Sequence, residues 1–393
     1  MPRAQALSES ARLTIGIDFR PLRPIASGGI VNSQIGVLRE VFARHPEHRY
    51  IVYGVPENRV LLDRLGPGAE TVELPADHYY ALLGQHLAEL GADLVYRVYP
   101  GIEKLQFPPA RQIVYIPDNQ HDFLPELFDT ATLAYRREAF DMALRQAGAI
   151  GTVSAFSRTA LARLARPGRD IFLMPPALQR EHVAASATLS PAAAARLPEK
   201  RFFYCPANLW PHKNHARVFA AFRAFLDTQA EPFCFVLTGD ETGWPDLASG
   251  FPDLDLRHLG YVDVDLVQAL MRRAEALVYC SLFEGFGIPL LEAFQAGTPA
   301  LCSDGTSLPE VAGGAALLAD PTDIPSMAAA MHRIVTDQAL RAELVARGRQ
   351  RLQDFSWSHS ADNLVAAMRR VAERVRRRTA AGIALAPGWA ASA

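Results

Sequence analysis

Short apolar runs rich in Val and Ile alternate with segments of helical period along almost the whole chain. That alternation is the signature of βαβ units, in which a strand buried on both faces is followed by an amphipathic helix that returns the chain to a parallel neighbour. The chain therefore reads as α/β. A first series of strands is predicted from Leu13 to Asp18, Tyr50 to Tyr53, Leu94 to Tyr96, Gln112 to Ile116, Ala149 to Val153 and Ile171 to Met174. Between about Arg180 and Lys200 large apolar residues thin out and Ser and Pro punctuate the text, as in an interdomain connection. A second series then runs from Arg201 to Cys205, Phe233 to Thr238, Leu256 to Leu259, Ala276 to Cys280, Ala300 to Cys302 and Ala316 to Leu318. The 393 residues, at about 150 per domain, fit two or three domains. They divide here into residues 1–180, residues 200–358 and a terminal helix over 359–378.

The helices between strands are legible. Val218, Phe219, Phe222, Phe225 and Leu226 share one face, and Asp263 stands where it could cap a helix carrying Leu266, Leu270 and Met271. Near the end, Ala361, Leu364, Val365, Met368, Val371, Ala372 and Val375 form an apolar stripe with arginines mostly off it. Such a helix must dock. The final residues, from Ala380 on, have neither periodicity nor charge and are expected to be poorly ordered.

Composition narrows the function classes. Forty Lys plus Arg against 42 Asp plus Glu leave a net charge of −2, so no overall basic field draws the chain onto nucleic acid. No signal-like segment opens the chain and no run of about 18 apolar residues occurs. A cytoplasmic protein is expected. Cys205, Cys234, Cys280 and Cys302 sit singly inside apolar runs without a CxxC pair, which predicts buried free thiols rather than a zinc site.

Open α/β sheets bind ligands at the carboxyl ends of their strands, so the segments just past each strand carry the chemistry. The richest follows Cys280 and reads Ser281-Leu-Phe-Glu284-Gly285-Phe286-Gly287-Ile288-Pro289-Leu290-Leu291-Glu292. Here a glycine-bearing loop runs into a helix with Pro in its first turn, aiming unpaired N–H groups at the crevice, where they favour an anion such as a diphosphate. Glu284 and Glu292 bracket that turn. Carboxylates are poor phosphate ligands and good acceptors for hydroxyl protons, so the pair suits a ligand that joins phosphate to sugars at both ends. Spacing alone equally allows Glu292 as a first-turn dipole partner and Glu284 as a solvated loop residue.

The run EGFGIPLLE, continuing into AFQAGTPALCSDGTSLPEVAGGAALLADPTD, resembles the carboxylate motif of family 4 of the retaining glycosyltransferases (glycosyl transferases group 1). That resemblance implies the GT-B fold: two Rossmann-like domains face a central cleft, and a C-terminal helix crosses back to the first. It implies that Glu284 contacts donor-sugar hydroxyls and Glu292 the ribose, with Gly285 to Leu290 as the donor-binding loop and helix start. The segment Pro206-Ala-Asn-Leu-Trp210-Pro-His212-Lys213-Asn214-His215 resembles the family's phosphate-binding lysine segment, which makes Lys213 the cation at the diphosphate; read alone it is also a surface lysine. Many members carry an arginine one to two turns earlier, where this chain has Ala207 and Asn208. His212 and His215 lack a nearby carboxylate or Cys, so no metal is expected. Gly239, Tyr261 and Val262 fall at strand exits where members hold the base through backbone groups, which leaves the nucleotide open with a lean toward UDP or GDP.

In the first half, the Gly28-Gly29 pair follows the opening strand and resembles the family's glycine loop; it is not GxGxxG. His121, in IVYIPDNQHDFLPELF with Asp118 and Asp122, matches the place of a histidine that contacts the donor sugar in the family, and alone reads equally as a loop cap. Ser154 and Ser157 are explained by capping. Arginines from Arg369 to Arg378 face outward and serve either as a solvated face or as a contact to anionic lipid at the inner membrane face. Together these imply a metal-independent, retaining transfer of a hexose from a nucleotide sugar to an unidentified sugar, glycan or lipid-linked acceptor, with no separate cofactor. The rival readings are a nucleotide-sugar epimerase or sugar phosphorylase on the same architecture, and a non-catalytic sugar-nucleotide binder. No phosphorylase-type pyridoxal lysine segment is found.

Overall fold

The structure is a computed structural model and describes residues 12–22, 28–178 and 189–385. Residues 1–11, 23–27, 179–188 and 386–393, which include part of the expected interdomain connection and of the terminal stretch expected to be poorly ordered, lie outside the described residues.

Two parallel sheets form. The first contains β1 (Thr14–Asp18), β2 (Arg49–Gly54), β3 (Glu70–Glu73), β4 (Leu94–Arg97), β5 (Gln112–Tyr115), β6 (Ala149–Thr152) and β7 (Ile171–Leu173), in the order β3-β2-β1-β4-β5-β6-β7. The second contains β8 (Arg201–Pro206), β9 (Phe233–Thr238), β10 (Leu256–His258), β11 (Ala276–Tyr279), β12 (Ala300–Ser303) and β13 (Leu317–Ala319), in the order β10-β9-β8-β11-β12-β13. Twelve of these strands fall on predicted segments. The sequence reading misses β3, whose ETVE is mostly exposed, because an edge strand needs neither two apolar faces nor alternation.

Helices pack on both sheets, and five position the site: α1 (Gly28–Arg44), α2 (Ala155–Leu164), α3 (His215–Leu226), α4 (Ile288–Ala296) and α5 (Trp357–Ala380). The face of α3 predicted to be apolar is the buried one: Phe219, Phe222 and Phe225 set rings against Phe203 and Phe235 of the sheet, with centroids 5.1–6.1 Å apart. Asp263 stands at the N-cap of its helix, but its side chain makes no capping bond there. All four cysteines are buried and free, as expected.

The long helix α5 lies on the first domain. Ser360 donates to the carbonyl of Pro175 at 2.7 Å, Asn363 to that of Leu173 at 3.1 Å, and the Trp357 indole to that of Leu178 at 2.8 Å. Gly36 of α1 makes room for it. A Cβ there would come within 2.5 Å of the Trp357 ring, so only glycine lets the two helices approach this closely. The arginine face pairs along its surface with the first domain: Arg370 and Arg374 with Asp170, Arg376 with Asp93 and Arg369 with Glu47. No helix among the described residues is long and apolar enough to cross a membrane.

Candidate active site

In each sheet the strand order reverses once, between β1 and β4 and between β8 and β11. At such a switch point the crossovers leave in opposite directions and open a crevice at the carboxyl edge. At the second, the segments after β8 and β11 meet. Pro211–Lys213 form a single 3-10 turn, Asn214 takes a left-handed conformation with φ 64°, and its amide donates to the carbonyls of Cys280 and Pro321 at 3.0 and 2.7 Å. Leu282 N–H closes the seam on the His212 carbonyl at 2.7 Å. Lys213 is thereby fixed against the loop that follows β11.

The result is a close ion pair. Lys213 Nζ lies 2.7 Å from Glu284 Oε1 and 2.8 Å from the Tyr279 hydroxyl, with both charged side chains only 11% exposed. Burial alone would raise the Glu284 pKa, but the charges of Lys213 and His212 outweigh it and hold the carboxyl below its ordinary range. His212 is pushed down to about 4, chiefly by burial and secondly by Lys213. The loop is framed by residues to which the sequence reading assigned no role. Thr306, at φ 57°, accepts from the Glu284 N–H at 3.2 Å, and the Ser307 hydroxyl donates to the Glu284 and Phe286 carbonyls at 2.9 and 3.1 Å. Gly287, at φ 109°, then starts α4, and a Cβ there would meet Leu308 at 2.5 Å.

A cavity of about 580 Å³ opens on this pair and is lined by both domains. From the second come Lys213, Glu284, Gly285 to Pro289, Glu292, Gly239, Tyr261 and Val262; from the first come Gly29, Pro117, Asp118 and Val153. Glu292 is 8% exposed and faces it from the first turns of α4. Among the described residues no three His, Cys, Asp or Glu side chains converge as a metal-ligand set.

Residues 190–351 match the family model described as "Glycosyl transferases group 1". They form a group 1 glycosyltransferase domain. The chain is 30% identical over 243 residues to O-antigen chain mannosyltransferase B of Escherichia coli, which covers 60% of this chain and 64% of that one. It is 41% identical over 108 residues to a phosphatidyl-myo-inositol mannosyltransferase of Mycolicibacterium smegmatis, covering 26% and 28%. The chain thus spans just under two thirds of the first of these relatives and a smaller part of the second. Among solved structures, WaaG, a glycosyltransferase involved in lipopolysaccharide biosynthesis, superposes with a TM-score of 0.66 at 15% identity over 90% of this chain and 98% of that one. Trehalose-6-phosphate synthase OtsA gives 0.69 at 14% identity over 90% and 98%. The fold is GT-B.

Most residues singled out in the group 1 domain line the cavity, but Leu290 does not. It is fully buried on the inner side of α4 and belongs to the core. Asn208, in the region where the resemblance leads one to expect an arginine, accepts from the Asp240 N–H at 2.9 Å and so shapes the loop after β9. The exposed Trp210 and Tyr261 rings both line the cavity, and the sequence points only to Tyr261.

On the facing domain, Gly28 is the first residue of α1 and Gly29 lines the cavity. His121 is not brought to the cavity. It is 1% exposed, its ring stands edge-on to Phe140 at 4.5 Å, and neither nitrogen has a hydrogen-bond partner among the described residues. The one-turn helix Gln120–Phe123 rotates it inward while Asp118, three residues past β5, takes the cavity wall. Burial, with the charge of Glu284 adding to it, raises the Asp118 carboxyl above its ordinary range.

The two domains touch at this edge of the cleft. The Ser154 hydroxyl, N-cap of α2, donates to the Gly285 carbonyl at 2.8 Å, a second use for a residue that capping alone explained. Glu310 of the group 1 domain reaches the same helix end and accepts from the N–H groups of Ala155 and Phe156 at 2.7 and 2.9 Å. Charge-assisted bonds at a positive helix terminus favour the closed arrangement. Glu310→Ala is expected to shift the equilibrium toward an open cleft by about 2 kcal/mol, roughly 30-fold. Small-angle scattering would show a larger radius of gyration, and an unchanged one would remove Glu310 from the closure.

Proposed function

We propose that the chain transfers a hexose, with retention at the anomeric carbon and without a metal ion, from a nucleoside-diphosphate sugar to an acceptor hydroxyl. The observation that carries this reading is the Lys213–Glu284 pair at the start of α4, inside a cavity that both domains line. Lys213 and the α4 N-terminus would meet the diphosphate, Glu284 the sugar hydroxyls and Glu292 the ribose. Backbone groups near Gly239, Tyr261 and Val262 would hold the base. When the bond from the anomeric carbon to the diphosphate oxygen breaks, its electrons leave with the nucleoside diphosphate, whose growing charge Lys213 and the helix end stabilise. The acceptor oxygen bonds to the anomeric carbon, and its proton passes to the departing phosphate.

Mannose is the hexose favoured by the relatives, since O-antigen chain mannosyltransferase B and several others among them are mannosyltransferases. A nucleoside-diphosphate donor is supported by the Anabaena HepE structures, of the same fold, in complex with UDP-glucose and with UDP and glucose. Incubation with GDP-mannose, UDP-glucose and ADP-glucose in excess chelator tests the proposal. Turnover of one donor is expected, including slow hydrolysis, with the product anomer matching the donor's by NMR. Tight binding without turnover would make the chain a sugar-nucleotide binder, and loss of activity rescued by magnesium would overturn metal independence.

A further inference from the structure

The first sheet has its own switch point, between β1 and β4, and a second cavity, of about 210 Å³, occupies that crevice. Its walls include Arg20 just past β1, Arg97 at the end of β4, Lys104, and the rings of Tyr80, Tyr99 and Tyr135. Arg97 is fully engaged. Its guanidinium, 1% exposed, binds Asp18 at 3.1 Å, the Gly101 carbonyl at 2.6 Å and Gln112 at 3.3 Å.

Arg20 and Lys104 are differently placed. Arg20 Nε is buried with no hydrogen-bond partner among the described residues, while a terminal nitrogen makes one long bond to the Ala76 carbonyl at 3.5 Å and the guanidinium lies over Tyr80 at 5.2 Å. Lys104 donates to the Tyr135 hydroxyl at 2.8 Å, which leaves further ammonium hydrogens for a ligand. The nearby carboxylates do not line the crevice. Asp18 is taken by Arg97 and by the Tyr79 hydroxyl at 2.9 Å, and Glu103, whose carboxylate oxygens are buried without a hydrogen-bond partner among the described residues, is not part of the wall. Three cations therefore line a crevice walled by tyrosine rings, and the two nearest carboxylates, Asp18 and Glu103, lie behind that wall.

We propose that this crevice binds a sugar bearing an anionic group, a phosphate or a carboxylate, as the acceptor of the transfer. Its anion would sit between Arg20 and Lys104 and its ring on the tyrosine faces. The word acceptor rests on the function proposed above; the binding does not. The exits of β5 and β6, which line the larger cavity through Asp118 and Val153, lie one to three strands away, or about 5–15 Å. One or two sugar rings bridge that distance, so an anion held here would present a hydroxyl at the donor site.

Calorimetric titration with mannose 6-phosphate, methyl glucuronide, methyl mannoside and inorganic phosphate tests the proposal. At least one of the first two is expected to bind, and which of them binds distinguishes phosphate from carboxylate; methyl mannoside should bind at least tenfold more weakly. Arg20→Ala and Lys104→Gln should each lose tenfold or more for that ligand with unchanged thermal midpoints. Equal binding of the neutral and anionic sugars, or full affinity in both variants, overturns the crevice. Inorganic phosphate binding as tightly as the sugar phosphate overturns the sugar part. Titrating GDP and UDP on the same preparation separates the two readings. Nucleotide binding without anionic-sugar binding sinks the crevice alone, whereas the reverse sinks the transferase and leaves the crevice.

Discussion

Lys213→Ala is expected to lower turnover by about 100- to 1000-fold while weakening donor binding by less than tenfold. The asymmetry follows from the ground state. Without a ligand the ammonium already has a partner, with Glu284 2.7 Å away and the Tyr279 hydroxyl at 2.8 Å. A bound diphosphate therefore shares Lys213 with a carboxylate and gains little from it at first. As the glycosidic bond breaks, the leaving oxygen acquires charge, and a nearly buried cation held in place by the turn Pro211–Lys213 is then worth far more than in water. Steady-state kinetics checks this. A rise in KM with kcat unchanged would make Lys213 a docking residue.

Glu284→Gln should separate nucleotide from sugar. Removing the charge beside Lys213 leaves a cation without its counter-ion, so the thermal midpoint should fall and free GDP or UDP should bind about tenfold or more tightly, restoring it. The amide is also a poorer acceptor for sugar hydroxyls. A charged hydrogen bond contributes about 1.5–3 kcal/mol, so transfer should drop by roughly 10- to 100-fold even as the nucleotide binds better. Calorimetry with the nucleotide and its sugar conjugate reads both effects. A parallel loss of affinity for the two ligands would place Glu284 on the diphosphate side and undo its assignment to the sugar.

The contrast between Leu290 and Glu292 marks how far the sequence could be read. Both lie in the same motif, two residues apart, and a helix turns each residue by 100°; one therefore enters the core while the other reaches the cavity. The motif gave the helix and its chemistry but not its rotation. His121 and Asp118 repeat the lesson across a single helical turn. The clustering of polar residues after β5 was visible, yet which of them lines the cavity depended on how that turn packs on Phe140.

By itself the sequence determined the parallel α/β class, nearly every strand, the apolar stripe of α5 and the separate segments bearing Lys213 and bearing Glu284 with Glu292, because each is encoded by local period or by neighbours in the chain. Tertiary structure decided what distant segments do to one another. It joined Lys213 to Glu284 across 71 positions, set Glu310 on the end of α2 from the other domain, turned the arginines of α5 onto Asp93 and Asp170, and gathered Arg20 and Lys104 into one crevice. These pairings arise from strand order and domain contact, which no local pattern records.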